Sequence, residues 1–270
     1  MTVAPLDFTV LAPVHGGDDP AQFRLAMQSV AKATRPADAM IICQDGDLPE
    51  PLSAEVDAVA ASTGARVIRN RGARGLAHNL NHAMTAVRTA FAARVDADDI
   101  NLPDRFAAQI DRLDADRGIA VLGGGIIEFA PDGARRRKSM PLTHDAIVRR
   151  ARWRNPINHM TAFIDVQAFR ACGGYPDIPY KEDYALWLTM IARGFRLANL
   201  DQDVVDARLG AGFHARRSGA HNLASEYALF RLKRTIPALR ATAAPAWLAR
   251  SGALAFEGPA RLIYQRVLRR

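Results

Sequence analysis

Cysteine is scarce in this 270-residue sequence: only Cys43 and Cys172 occur, far apart. That spacing matches neither a zinc site nor a disulfide framework, so buried, inert thiols in a reducing compartment are expected. No segment approaches the run of about 18 apolar residues that a spanning helix needs, and MTVAPLDFTV lacks the basic start of a secretory signal. The expectation is a cytoplasmic protein, soluble or peripheral on the cytoplasmic face of the inner membrane. Glycine fingerprints are missing too. No G-x-G-x-x-G follows the first apolar run and no P-loop lysine pattern occurs, which removes support for nicotinamide or P-loop chemistry. Val14-His15-Gly16-Gly17 also lacks the G-x-G-T-R opening of sugar nucleotidyltransferases.

An excess of one charge is absent from most of the chain. The formal net charge is +8, from 36 Lys and Arg against 28 Asp and Glu. From Arg231 onward nine basic residues face the single acid Glu257, which leaves 27 of each sign in residues 1–230. The body therefore has no net attraction for a polyanion, and a nucleic-acid partner is excluded as an expectation. The tail is different: its cations are interleaved with Ile236, Leu239, Trp247, Leu248, Leu254, Phe256, Leu262, Ile263, Tyr264 and Val267. Such a segment suits an anionic membrane surface, or equally a helix packed on the body with a charged outer face. Pro237, Pro245 and Pro259 exclude one long uninterrupted helix.

What is present is an alternation of strand and helix patterns. Apolar runs at 8–12, 39–43, 65–68 and 91–95 alternate with helical patterns at 21–33, 52–62 and 75–87, and a further helix follows at 103–116. Successive strand–helix units predict a parallel sheet covered on both faces, with ligands at the carboxyl ends of its strands. The pattern then becomes mixed α+β: a strand at 119–129, a hairpin return at 135–140, a helix near 145–153, a strand around 161–164 and a helix from 182 to 192. The expected division is a body over 1–220, with halves 1–118 and 119–220, and a helical tail over 221–270.

Arg94-Val95-Asp96-Ala97-Asp98-Asp99 places three carboxylates within four positions at the end of the fourth strand. Crowded anions in a partly buried loop need a counter-charge, and a hard divalent ion with oxygen ligands supplies one; a solvated turn capping the next helix is the other reading. An EF-hand is excluded, because Ile100 and Asn101 stand where it needs an oxygen ligand and glycine. A phosphatase of the D-x-D type usually carries its motif on the first strand and Thr or Val two positions beyond the second Asp, where this chain has Ile100. Glu182 and Asp183 enter a helix after the turn Gly173-Gly174-Tyr175-Pro176. They fit helix capping, or a base that takes a proton from an acceptor hydroxyl. Arg71 and Arg74, between a strand and a helix with Gly72 and Gly75, are candidates for phosphate contact.

Together these features resemble family 2 of the GT-A glycosyltransferases, of the type that builds bacterial exopolysaccharide and lipopolysaccharide. The similar segments are 8–15, 44–46, 74–81, 95–105, 155–160, 173–176 and 182–187, within residues 7–220 and in the family's order. The resemblance implies an inverting hexosyl transfer from a nucleotide-sugar donor, UDP-linked, to a glycan or lipid-linked acceptor. It implies that Pro13, Val14, His15 and Asp45 hold the nucleotide. Asp98 and Asp99 would meet ribose, diphosphate and a divalent metal (Mg²⁺ or Mn²⁺), with Asp96 beside them. Asp183 would be the base and Glu182 its assistant. His159 would line the donor-sugar or acceptor pocket, or serve as a hydrogen-bonded structural histidine. Gln44 and His214 depart from the usual pattern. A catalytically silent scaffold is the competing reading, and the intact carboxylates argue against it.

Overall fold

The computed structural model describes residues 6–72, 74–130, 132–209 and 220–255. Four strands, β1 (Phe8–His15), β2 (Ala39–Asp45), β3 (Arg66–Asn70) and β4 (Phe91–Arg94), alternate with α1 (Pro20–Ala31), α2 (Glu50–Thr63) and α3 (Leu76–Ala86). They lie in the order β3-β2-β1-β4 and all run parallel. Because strand side chains alternate, each strand feeds two cores. Phe8, Val10, Ala12 and Val14 of β1 join Ile42 under α1 and α2. Leu11 points the other way and joins Ile41, Cys43 and the α3 residues Leu80, Ala83 and Met84. The α1 stripe Phe23, Ala26, Met27, Val30 has the spacing of one helical face. Asp19 caps that helix by accepting from the Gln22 amide, and Pro20 occupies its first turn.

The sheet continues through β8 (Phe163–Asp165), β6 (Ile119–Phe129), β9 (Arg196–Arg208) and β5 (Ile100–Asn101), while β7 (Arg135–Lys138) makes the expected hairpin with β6. β8 lies antiparallel between β4 and β6, and β9 runs parallel to β6. Around them stand α4 (Arg105–Ala115), α5 (His144–Ala151), α6 (Val166–Cys172) and α7 (Glu182–Ala192). The second half is thus mixed, as the change of pattern predicts. β9 is the strand that apolar periodicity misses. Its sequence RLANLDQDVVDAR is highly polar, yet Asp203 and Asp206 pair with Arg137 and Arg135 of β7, so its charges are met at the sheet edge. Gly123 is required where β6 passes this region: an added Cβ would lie 2.2 Å from Asn199 Oδ1 and 2.7 Å from Ile157 Cγ2.

Two helices follow, α8 (Ala220–Thr235) and α9 (Pro237–Ala255). Pro237 divides them, as expected for a residue favoured in a helix's first turn. Pro245 does not break α9; its exposed face lets the chain continue while Ala243 and Ala246 stay buried. Leu229, Ile236 and Leu239 pack with Ala151, Tyr184, Ala185 and Leu188 of the body. Lys233 is buried here, donating to the Arg152 carbonyl at 3.0 Å and lying 4.8 Å from the Tyr184 ring centre. Ile236 and Leu239 are thereby withdrawn from the apolar set expected to face lipid. Leu254 and Phe256 and the residues beyond, like His214, fall where side chains lie outside the described residues.

Candidate active site

The parallel order brings the loops after β1, β2, β3 and β4 to one edge of the sheet. Pro13 and Val14 are buried at the end of β1, and His15 is exposed. The His15 amide donates to Asp18 Oδ2 at 2.8 Å, and its Nδ1 accepts from the Gly17 amide at 3.2 Å. Asp45, at the end of β2, accepts from the amides of Arg74 and Gly75 at 2.9 and 3.0 Å. This carboxylate folds the loop after β3 back over β2 and places Arg71 and Arg74, both exposed, along the same edge. Gly75 has φ +91°, a left-handed conformation that a side chain would disfavour.

At the end of β4, ligand atoms of Asp96, Asp98 and Asp99 lie within 4.8 Å of one another. A divalent ion with oxygen ligands at about 2.0–2.6 Å spans oxygens up to about 5 Å apart, so the spacing fits. Asp99 is 3 % exposed; its Oδ1 accepts from the Arg208 amide at 2.7 Å, and its Oδ2 is buried with no hydrogen-bond partner among the described residues. A buried carboxylate oxygen without a partner, in a cluster of three carboxylates, fits a divalent-cation ligand. Burial, then the charges of Asp96 and Asp18, push Asp98 up to about 6. Burial, then Asp96 and Asp98, hold Asp99 well above the usual carboxylate range.

A second carboxylate pair opens α7. Asp183 is half-buried; its Oδ2 accepts from Asn155 Nδ2 at 2.5 Å and its Oδ1 from the Tyr184 amide at 2.7 Å. Burial raises its pKa, and burial followed by Asp183's charge raises Glu182 to about 7. His159 Nε2 lies 2.9 Å from the Tyr175 hydroxyl, and the ring meets Tyr175 and Trp187 edge-on. Burial, then Arg94, drives His159 far below its ordinary pKa, which leaves it neutral. Gly174 holds φ +84° beside Asn81, whose side chain both donates to the Tyr175 carbonyl and accepts its amide at 2.8 Å.

Sequence reasoning missed the residue between the two groups. Arg94 is 5 % exposed, pairs with Asp96, and its charge lowers the pKa of Asp98, Asp99, Glu182 and Asp183 alike. Its position directly ahead of an acidic run was the available signal. Asn155 lies in the matched segment 155–160, but its contact with Asp183, like that of the Arg208 amide with Asp99, arises only through the fold.

This doubly covered sheet, with an acidic cluster at its central strand end and a carboxylate pair beyond it, is the GT-A architecture of glycosyltransferases. The model of glycosyl transferase family 2 matches residues 9–172, and the chain belongs to that family: it is a glycosyltransferase. The amylovoran biosynthesis glycosyltransferase AmsE of Erwinia amylovora is 31% identical over 226 residues, covering 84% of this chain and 85% of that protein. An Escherichia coli enzyme, UDP-Gal:alpha-D-GlcNAc-diphosphoundecaprenol beta-1,3-galactosyltransferase, is 30% identical over 222 residues, covering 81% and 80%. Among solved structures, S. aureus TarS 1–349 in complex with UDP-GlcNAc matches with TM-score 0.72 at 15% identity, over 97% of this chain and 76% of that one. The mannosyltransferase PcManGT from Pyrobaculum calidifontis, in complex with GDP-Man and Mn2+, matches with TM-score 0.65 at 17% identity, over 98% and 80%. The phosphatase and silent-scaffold readings fall with this membership.

The raised carboxylates make stability depend on pH. Between the ordinary carboxylate pKa near 4 and the raised folded values, the folded protein holds protons that the unfolded chain has released, so its stability falls as pH rises. We expect metal-free Asp99→Asn to melt at a higher temperature than the parent protein at about pH 7.5, with the gap closing towards about pH 5. A lower melting temperature for Asp99→Asn in EDTA at the higher pH would show that the cluster is not under charge strain.

Proposed function

We propose that this glycosyltransferase moves a hexosyl group, with inversion, from a UDP-linked sugar to a hydroxyl of a glycan or lipid-linked acceptor in cell-surface polysaccharide synthesis. The observation that carries the reading is an acidic cluster with cation-ligand spacing together with a separate carboxylate pair, raised by burial, at the start of α7. UDP is favoured because a UDP-sugar is named for the Escherichia coli relative and is bound in TarS. The lipid-linked acceptor and polysaccharide setting follow the names of the two curated relatives.

In this reading Pro13, Val14, His15 and Asp45 line the nucleotide, and Arg71 and Arg74 offer positive charge towards its phosphates. Asp98 and Asp99, with Asp96 beside them, would hold Mg²⁺ or Mn²⁺. When bound, such an ion supplies Lewis-acid stabilisation of charge on the diphosphate. Asp183 accepts the acceptor hydroxyl's proton; its raised pKa makes it a stronger base than a solvated aspartate, and Asn155 fixes its orientation. Glu182 assists by contacting the acceptor, and neutral His159 can offer a hydrogen bond without adding charge. A base placed opposite the leaving diphosphate gives in-line attack and inverted configuration, by the geometry that governs inverting glycosidases.

The α8–α9 pair supports peripheral attachment to an anionic membrane on the cytoplasmic face. Its inner face is buried on the body, while Leu223, Tyr227 and Leu248 are exposed large hydrophobics. Arg231, Arg234 and Arg240 line an open hollow of about 480 Å³. Among the described residues no helix is long and apolar enough to cross a membrane.

Two outcomes are expected. Asp183→Asn should lower transfer about 10²–10⁴-fold, the usual worth of acid–base catalysis, while UDP binding persists. Near-normal transfer by Asp183→Asn, beside an inactive Glu182→Gln that still binds donor, would move the base to Glu182. The full chain should sediment with phosphatidylglycerol-containing vesicles and much less so with Arg231, Arg234 and Arg240 all changed to Gln; equal sedimentation of the two proteins would end the membrane proposal.

A further inference from the structure

Arg105 belongs to neither carboxylate group, yet it is 2 % exposed and its guanidinium is fully engaged. Nη2 donates to the Arg94 main-chain carbonyl at 2.7 Å, Nη1 to the Asn101 side-chain oxygen, and Nε to Gln109 Oε1 at 3.1 Å. Arg94 and Asn101 flank residues 95–100, the segment that carries Asp96, Asp98 and Asp99. One side chain from the first turn of α4 therefore ties both ends of the acidic loop.

The tie is itself anchored. Gln109 Nε2 donates to the carbonyls of Leu122 and Thr161 at 3.0 and 2.9 Å, which fixes it to β6 and to the turn before β8. The Asn101 amide donates to Ser29 Oγ of α1 at 2.9 Å. Arg105 has no carboxylate within ion-pair distance among the described residues, and burial followed by Arg94's charge lowers its pKa to about 9. An apolar side chain would fill this space at less cost. What an apolar side chain cannot do is hold two oxygens at fixed separation, as the planar fork of a guanidinium does.

We propose that Arg105 is a positioning residue: its two-point grip keeps the acidic loop in the shape in which Asp96, Asp98 and Asp99 converge, and divalent-cation affinity depends on it. Without the grip, three mutually repelling carboxylates splay the loop and separate the ligand oxygens. This inference rests on reading the acidic loop as a cation site.

The test is Mn²⁺ titration of the full chain, followed by the electron paramagnetic resonance signal of free Mn²⁺, for the parent protein, Arg105→Lys, Asn101→Ala and Asp99→Ala. Circular dichroism and melting temperature are measured on each. Arg105→Lys reaches only one of the two oxygens, so Mn²⁺ should bind about 10–100-fold more weakly to the folded variant, the range seen when supports of metal ligands are removed. Asn101→Ala should weaken binding in the same direction by less. A folded Arg105→Lys with parental Mn²⁺ affinity and only a lower melting temperature overturns the proposal, because the role is then purely structural. If Arg105→Lys does not fold, undiminished affinity in Asn101→Ala overturns it. Absent Mn²⁺ binding in the parent protein, or equal binding by Asp99→Ala, removes the cation site itself and this proposal with it.

Discussion

Like-charge repulsion at the end of β4 is the constraint on which the rest of the site depends. Three carboxylates converge there, one of them almost fully buried, and the fold places the buried guanidinium of Arg94 against them. Arg94 pairs with Asp96, and the Arg208 amide holds one Asp99 oxygen. That one guanidinium does not balance three carboxylates, and Asp99 Oδ2 is left without a hydrogen-bond partner among the described residues. A divalent cation would offset the remaining repulsion and present positive charge to a diphosphate. A protein selected for stability alone would not gather these groups, so the strain is itself a mark of function.

The same arginine reaches the second carboxylate pair. Arg94 draws down Glu182 and Asp183 while burial pushes them up, and the balance leaves both raised. Because the charge of Asp183 raises its neighbour Glu182, the two titrate as a pair rather than singly. Both carboxylate groups are thus held above their ordinary range by burial, and Arg94 is the charge they share. The chain achieves this with residues from both halves. β4 supplies Arg94, the loop before β8 supplies Asn155, and α7 supplies Asp183.

Much of this was legible in the sequence. The apolar runs of β1 and β2 are continuous because helices cover both faces, and the acidic run is readable because its residues are neighbours in the chain. β9 was not legible, since its buried apolar residues Leu197, Ala198, Val204, Val205 and Ala207 are split by the mostly polar stretch 199–203 and show no regular alternation. Two-residue β5 and seven-residue α6 are too short for periodicity to register. The tail showed its charge but not its faces: Ile236 and Leu239 turn inward while Leu248 turns out. The contacts of Arg208 with Asp99 and of Asn155 with Asp183 were hidden because each joins residues distant in sequence.

In the proposed function the acidic loop and the nucleotide loops form one cation-dependent donor site. Isothermal calorimetry of UDP binding, with Mn²⁺ and with EDTA, on the parent protein and on Asp99→Ala tests it most directly. Binding in Mn²⁺ that weakens sharply in EDTA, and weakens likewise in Asp99→Ala, is the predicted result. UDP binding of equal strength in all four measurements would contradict the account.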